Sequence, residues 1–420
     1  FGSRSMCKML CFMQHPNLMR LVNRRLWTLR YAVPGKYAGW RGCRGIAAVG
    51  EGAHDPPAVR RERARKIILQ QAADESVREP QVEDLDYDGR TSESNHVIAV
   101  QRKERRVQGL RRQAEALAEP CRIIDGKRIA AEVRAEVKYR VASLRAKDLP
   151  EPGLAVVMVG SRKDSASYVK SKESACHEVG IVPKTINMPE DSTEEQLLAT
   201  IDELNVDPSV HGILVQLPLP KHFNPDRVIR HISFQKDVDG FHPHNLGLIA
   251  QGSKDAMVPC TPKGCMEILK RRGVDLQGKF CAVIGASNIV GLPMALLLLR
   301  ANATVEILHA HTGTSGFGMG IGQTANLADV LIVCCGQPQM VTTRFLKPGG
   351  VVIDVGINVI TDSSRKSGKR MVGDVNLDDC LSLSSQVTPV PGGVGPMTVA
   401  MLMENVLIAY DRLVHVRHDW

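Results

Sequence analysis

Phe280-Cys281-Ala282-Val283-Ile284-Gly285-Ala286-Ser287-Asn288-Ile289-Val290-Gly291 is the stretch on which the fold turns. Its first five residues are apolar without alternation, which predicts a strand buried on both faces, as in a parallel sheet. Gly285 and Gly291 bracket a turn, and the apolar run Leu292 to Leu299 predicts a helix behind it. A strand, a glycine turn and a helix start bring backbone N–H groups and the helix dipole to one point, where a pyrophosphate can sit. The spacing Gly285-x-Ser287-x-x-x-Gly291 departs from G-x-G-x-x-G, so a tight βα turn without a ligand is the competing reading. Downstream, Thr304 to Leu308, Val330 to Cys334 and Val351 to Val355 repeat the apolar strand pattern, and Pro262 to Arg271 precedes them as a helix. This series predicts a second parallel sheet over residues 259–395, Rossmann-like in its order, and a dinucleotide-binding domain only if the glycine turn holds a ligand.

Upstream the same alternation occurs once more. Ile129, Val133, Val137, Val141 and Leu144 recur at helical spacing. Leu154 to Val159 is an unbroken apolar strand, Asp164 to Val179 a helix and Val182 to Met188 a strand. Thr193 to Asn205 is a helix behind a capping pattern at Ser192-Thr193-Glu194-Glu195, and Gly212 to Gln216 is a further strand. The fold class is therefore α/β, with two α/β domains, the first over residues 121–258.

The 420 residues carry a net charge of +9, but the excess is local. Residues 1–50 contain nine Lys and Arg and no Asp or Glu, and the rest of the chain balances at 45 of each sign. A basic segment with scattered Leu and Met and no acid has the composition of an organellar transit segment; a basic tail from a wrongly assigned start is the alternative. The body shows no basic face for nucleic acid, and no run of 18 apolar residues suggests a membrane span. Residues 51–120 hold 27 charged residues in 70, which predicts a disordered or weakly helical linker. The 11 cysteines lack any paired C-x-x-C framework, so no metal is assigned and a reducing compartment is expected.

Several stretches carry chemistry. Tyr168 and Lys172, four apart, share one face of a helix, as a surface pair or as a lysine beside a phenol in a cleft. A lysine that shuttles protons near neutrality must be desolvated or polarised. Gln216 ends a buried strand, where α/β proteins place ligand groups. Lys236-Asp237-Val238-Asp239-Gly240 lacks the remaining oxygens of a calcium loop, so a simple turn or a carboxylate gripping an amino-heterocycle is the better reading. Thr388-Pro389-Val390-Pro391-Gly392-Gly393-Val394-Gly395-Pro396-Met397-Thr398 holds three prolines, three glycines and no charge. It reads as a rigid loop ahead of an apolar helix, Val399 to Leu413, and lines a ligand cleft or forms a structural turn. Gly313, Gly316, Gly318, Gly320 and Gly322 show no helix-starting geometry and read as a flexible surface loop.

Taken together, Tyr168-x-x-x-Lys172, Gly212-Ile-Leu-Val-Gln-Leu-Pro-Leu-Pro220, Lys236 to Gly240, Pro259-Cys-Thr-Pro-Lys-Gly264, Asp354-Val-Gly-Ile-Asn358, Val372-Gly-Asp-Val375 and Thr388 to Thr398 resemble the bifunctional methylenetetrahydrofolate dehydrogenase/cyclohydrolase family. The resemblance covers residues 121–413. It implies a catalytic domain completed by the returning C-terminal helix (396–415), an NAD(P) domain, and an active site in the cleft between them. It implies oxidation of 5,10-methylenetetrahydrofolate with NADP, NAD being possible, and then hydrolysis to 10-formyltetrahydrofolate. Lys172 would be the acid/base, Gln216 its tuner, and Tyr168 a catalytic neighbour packed on the folate. Asp239 would grip the pterin, and Pro391, Gly392 and Gly393 would lie against the folate. Cofactor contacts are implied at Gly285, Ser287, Ile289, Val290, Gly291, His309, Thr312, Gly336 and Ile357. A homodimer through the dinucleotide domain is implied as well. Two departures stand out. Gly285-Ala286-Ser287 replaces the family's Gly-Arg-Ser, and His309-Ala310-His311-Thr312 replaces its His-Ser, at positions that hold the 2′-phosphate of NADP. They leave open a chain that retains only the cyclohydrolase, or an inactive paralogue kept as an assembly partner. The expected compartment is the mitochondrion, with the plastid as alternative, or the cytoplasm if the N-terminal segment is not genuine.

Overall fold

The computed structural model describes residues 55–80, 92–313, 320–365 and 367–415. The basic segment 1–50, Gly316 and Gly318 lie outside the described residues.

Two parallel sheets organise the body. The first has the order β3 (Val182–Met188), β2 (Gly153–Val159), β4 (Gly212–Val215). Its central strand is almost wholly buried, as an apolar run between helical layers must be. Helices α3 (Gly126–Arg145), α4 (Lys163–Val179) and α5 (Glu194–Val206) connect and cover it. Helix α5 starts with a capping box in which Thr193 accepts from the Gln196 N–H and the Gln196 side chain returns to Thr193. The partner is thus Gln196 rather than the acids that follow Thr193. Short helices α6 (Pro225–His231) and α7 (Pro243–Gln251) follow.

The second sheet has six strands in the order β1 (Arg122–Ile123), β11 (Gln386–Val387), β8 (Val351–Asp354), β7 (Val330–Val333), β5 (Phe280–Ile284), β6 (Thr304–Leu308), and each neighbouring pair is parallel. Helix α8 (Cys260–Arg271) leads into it, and α9 (Gly291–Arg300) follows the glycine turn. Strand β1 was not anticipated: the first ordered residues after the charged region join the edge of the second sheet, not the first. A two-stranded antiparallel ribbon, β9 (Asn358–Thr361) with β10 (Lys369–Val372), was also missed. Of the glycine-rich stretch, Gly320 caps and Gly322 lies within a short helix, α10 (Ile321–Ala325), so part of the expected loop is helical. Helix α11 (Leu377–Cys380) precedes β11.

The last helix, α12 (Val394–His415), begins five residues earlier than the sequence pattern placed it. Pro396 falls in its first turn, where a missing N–H costs nothing, so the proline does not delay the start. Met397, Ala400, Met401, Met403, Val406 and Leu407 of α12 are buried in one core with Val133, Val137 and Val141 of α3 and Ile268 of α8. This helix therefore joins the dinucleotide half to the first half.

The charged region 51–120 departs from the linker expectation. Its described parts contain two long helices, α1 (Pro57–Val77) and α2 (Ser92–Ala116), packed on each other and on the second sheet's domain. Ala64, Ile68, Ala114 and Leu117 enter the core that contains Leu331, Val352 and Leu383. High charge hid this because the helices bury mostly alanine, a weak apolar signal, and because two arginines dock by hydrogen bonds. Arg60 pairs with Asp379. Buried Arg61 donates to the carbonyls of Leu117 (3.1 Å), Ala116 (2.7 Å) and Ser384 (2.6 Å), which satisfies the open end of α2. Arg61→Ala leaves those acceptors buried and is expected to cost on the order of 3 kcal/mol. The check is the urea midpoint of the full chain, which should fall with its slope unchanged.

Candidate active site

Lys172 projects from the middle of α4, and Tyr168, 44% exposed, precedes it by one turn on the same face. The lysine Nζ donates to Gln216 Oε1 at 3.0 Å. Gln216 follows β4 directly; its backbone N–H donates to Val157 O (2.8 Å) and its Nε2 to Leu217 O (2.7 Å). That second bond commits the amide nitrogen and leaves the oxygen turned to Lys172.

The segment Lys236–Gly240 runs beside β4, because the Ile213 N–H donates to Lys236 O at 2.7 Å and Ile213 bridges Asp237. The two acids divide their roles. Asp237 is buried and accepts from the N–H groups of Gly240, Phe241 and His242 and from Asn245 Nδ2, so it builds the turn. Burial pushes its carboxyl up to about 6, against those donors. Lys236 donates to the Leu204 and Asp207 carbonyls and is also structural. Asp239 is left facing the lysine: burial raises its pKa, and the Lys172 charge pulls it back down. Gly240 is required at φ +74, since a Cβ would strike the backbone of Met257 and Pro259. Among the described residues no group of three or more His, Cys, Asp or Glu could hold a metal.

The Pro-Gly loop docks on the start of α3 in the first half. Thr388 Oγ1 accepts from the Asp354 N–H at 2.7 Å, and Gly392 O accepts from the Lys127 N–H at 3.2 Å. A Cβ on Gly126 would overlap the Gly393 carbonyl, so the start of α3 must be glycine for the loop to dock. Sequence reading missed Gly126; its place just before Lys127, at the start of α3, was the available signal. It also missed Asn405, fully buried on α12, whose Nδ2 donates to Val238 O (2.9 Å), next to Asp239, and to Val258 O (2.9 Å).

In the second sheet β5 lies between β6 and β7, so the connections leave in opposite directions from β5 and a crevice opens at the carboxyl ends of β5 and β7. Gly285 (φ +122) ends β5. Ser287 Oγ accepts from the Val290 (3.3 Å) and Gly291 (3.4 Å) N–H groups, and a Cβ on Gly291 would collide with the Gly285 carbonyl. Ile289 is exposed at this turn. At the end of β6, the His309 N–H donates to Thr312 Oγ1 (2.9 Å) and the His311 N–H to His309 Nδ1 (3.2 Å). Gly336 (φ +67) follows β7 with no atom within 4 Å of where its Cβ would be, and Ile357 is exposed after β8. A tight glycine turn, an open glycine opposite it and a helix N-terminus between them fit a dinucleotide.

A two-domain α/β protein with a dinucleotide crevice in one half and a lysine–glutamine pair in the other is the class that fold and site define. Residues 124–239 match the tetrahydrofolate dehydrogenase/cyclohydrolase catalytic domain and residues 259–414 its NAD(P)-binding domain. The chain belongs to the tetrahydrofolate dehydrogenase/cyclohydrolase family. It is 50% identical over 294 residues to the bifunctional protein FolD 2 of Arabidopsis thaliana, a match covering 70% of this chain and 96% of that one. It is 47% identical over 292 residues to the mitochondrial bifunctional protein FolD 1 of the same plant, covering 69% of this chain and 81% of the relative. The crystal structure of the Trypanosoma brucei methylenetetrahydrofolate dehydrogenase-cyclohydrolase, complexed with NADP and an inhibitor, superposes with a TM-score of 0.66 at 36% identity, covering 70% of this chain and 99% of that one.

Proposed function

We propose that the chain oxidises 5,10-methylenetetrahydrofolate to 5,10-methenyltetrahydrofolate with NADP or NAD and hydrolyses the product to 10-formyltetrahydrofolate, within one-carbon folate metabolism. The observation that carries this reading is the Lys172–Gln216 hydrogen bond beside Asp239. When bound, the nicotinamide supplies the hydride acceptor for the methylene carbon. The protein's part in that step is placement, with Tyr168 packed on the folate, Asp239 on the pterin, and Pro391, Gly392 and Gly393 along the substrate. In the second step water adds to the methenyl carbon; Lys172, oriented by Gln216, takes one proton from the water and returns one to the ring nitrogen as the C–N bond opens, while the remaining hydroxyl proton leaves to solvent as the formyl C=O forms.

Gly285, Ser287, Ile289, Val290 and Gly291 would hold the dinucleotide at the turn, with His309 and Thr312 toward its adenosine and Gly336 and Ile357 toward its other end. Ala286 and Ala310 bring no fixed charge to the adenosine ribose, so the 2′-phosphate of NADP gains little there and NAD is a competent partner. The chain works as a homodimer through its dinucleotide domain. The acid-free, arginine-bearing segment 1–50 favours an organelle, the mitochondrion first and the plastid as alternative. Initial rates of methylene-folate-dependent reduction, run with NADP and NAD in parallel, test both the activity and the cofactor choice. Reduction of both nucleotides at comparable kcat/KM is expected; reduction of neither contradicts the dehydrogenase reading.

A further inference from the structure

Asp354 and Asp374 are almost fully buried carboxylates to which the reaction above gives no task. Asp354 ends β8 and accepts from the N–H groups of Gly356, Asp374 and Val375, each at 3.0 Å. Asp374 Oδ2 accepts from the N–H groups of Cys335 and Gly336, both at 2.8 Å, and its Oδ1 accepts from Asn358 Nδ2 at 2.8 Å. Room for the pair is reserved: a Cβ on Gly356 would overlap the Asp374 carboxylate, and one on Gly373 would overlap that of Asp354. Cys335 and Gly336 leave β7, one of the two strands that flank the dinucleotide crevice. The backbone of Asp354 is in turn bonded to Thr388, where the Pro-Gly loop starts.

A charged acceptor on two successive N–H groups makes a strong anchor, because each bond is charge-assisted. Gly336, free to adopt many conformations, would otherwise let this loop wander. We propose that Asp374 is a positioning residue for the nicotinamide end of the cofactor, fixing the Cys335–Gly336 backbone at the mouth of the crevice while Asp354 and Asn358 hold it in place. The inference rests on the dinucleotide site assigned above. It acts on hydride transfer and not on water addition, which depends on Lys172 and Gln216 in the other half.

That separation supplies the test, made on the full chain. Asp374→Ala removes the acceptor of three donors and is expected to raise the Kd for NADPH, read by nucleotide fluorescence, by about 10-fold or more. The KM for the oxidised nucleotide should rise in parallel, while hydrolysis of supplied 5,10-methenyltetrahydrofolate stays within about twofold of wild type. Asp374→Asn keeps the shape. Combined with Asn358→Asp, it restores one oxygen toward the N–H pair and a donor–acceptor bond across the gap, so nucleotide affinity should recover. Unchanged nucleotide affinity in Asp374→Ala, or an equal fall of both activities in folded Asp374→Asn, would overturn the assignment. A wild-type chain that binds NADPH but reduces nothing would instead count against the proposed reaction, since binding still reads the positioning.

Discussion

Lys172→Met should abolish hydrolysis of 5,10-methenyltetrahydrofolate, with a loss of about 10²–10⁴-fold, the range that a positioned acid/base group supplies. Methionine keeps most of the length of the side chain and removes the ammonium that donates to Gln216 Oε1. Water addition loses its proton acceptor, and the opening ring loses its donor. Hydride transfer needs neither. The dehydrogenase rate should therefore fall by a far smaller factor, set only by altered packing around Tyr168 and the shift in Asp239 once the neighbouring positive charge is gone. That charge pulls the Asp239 carboxyl down. Its removal leaves burial unopposed, so Asp239 should hold its proton to higher pH and the KM for folate should worsen as pH falls. The measurement is a pair of assays on one preparation, methenyl hydrolysis without nucleotide and nucleotide reduction with the methylene substrate. Hydrolysis surviving at near wild-type rate would remove Lys172 from its role.

Gly126→Ala is the second large effect, and it separates the two ligands. The added methyl would lie on the Gly393 carbonyl with Gly392 beside it, and both are backbone atoms that no rotamer change can move. Either α3 or the Pro-Gly loop must shift; such overpacking typically costs 1–3 kcal/mol, or about 5–150-fold if expressed in ligand binding. In the proposed site the loop lies along the folate, so the KM for folate should rise in both reactions. NADPH affinity should hold, because the turn from Gly285 to Gly291 is elsewhere. Equal weakening of both ligands would mean that the loop supports the whole cleft and not the folate alone.

The parallel α/β character was legible because β2, β5, β7 and β8 are apolar on both faces, and a fully buried strand needs no partner's identity to be recognised. Gln216 stands out as a polar residue ending a buried strand, whereas the spacing of Tyr168 and Lys172 alone reads as a surface pair, and only the family resemblance set Lys172 beside Gln216. What escaped was set by backbone contact and long-range pairing. Strand β1 has two residues, and only its parallel register with Gln386 and Val387, more than 260 positions later, makes it a strand. Gly126 looks like any helix-start glycine until Gly393 is placed on it. Asp374 sits in a short stretch ending a ribbon, and its acceptors' partners lie 16 to 39 residues away. The helices α1 and α2 were hidden by their charge, since Arg60 and Arg61 look like solvent residues and are in fact the buried ones.

That one cleft carries a single carbon through both steps is checked by following a ¹³C label at the methylene bridge of 5,10-methylenetetrahydrofolate by NMR, with NADP or NAD and the full chain present. The prediction is replacement of the methylene signal by a formyl signal, in step with formation of reduced nucleotide. A methylene signal that persists while the nucleotide stays oxidised would contradict it.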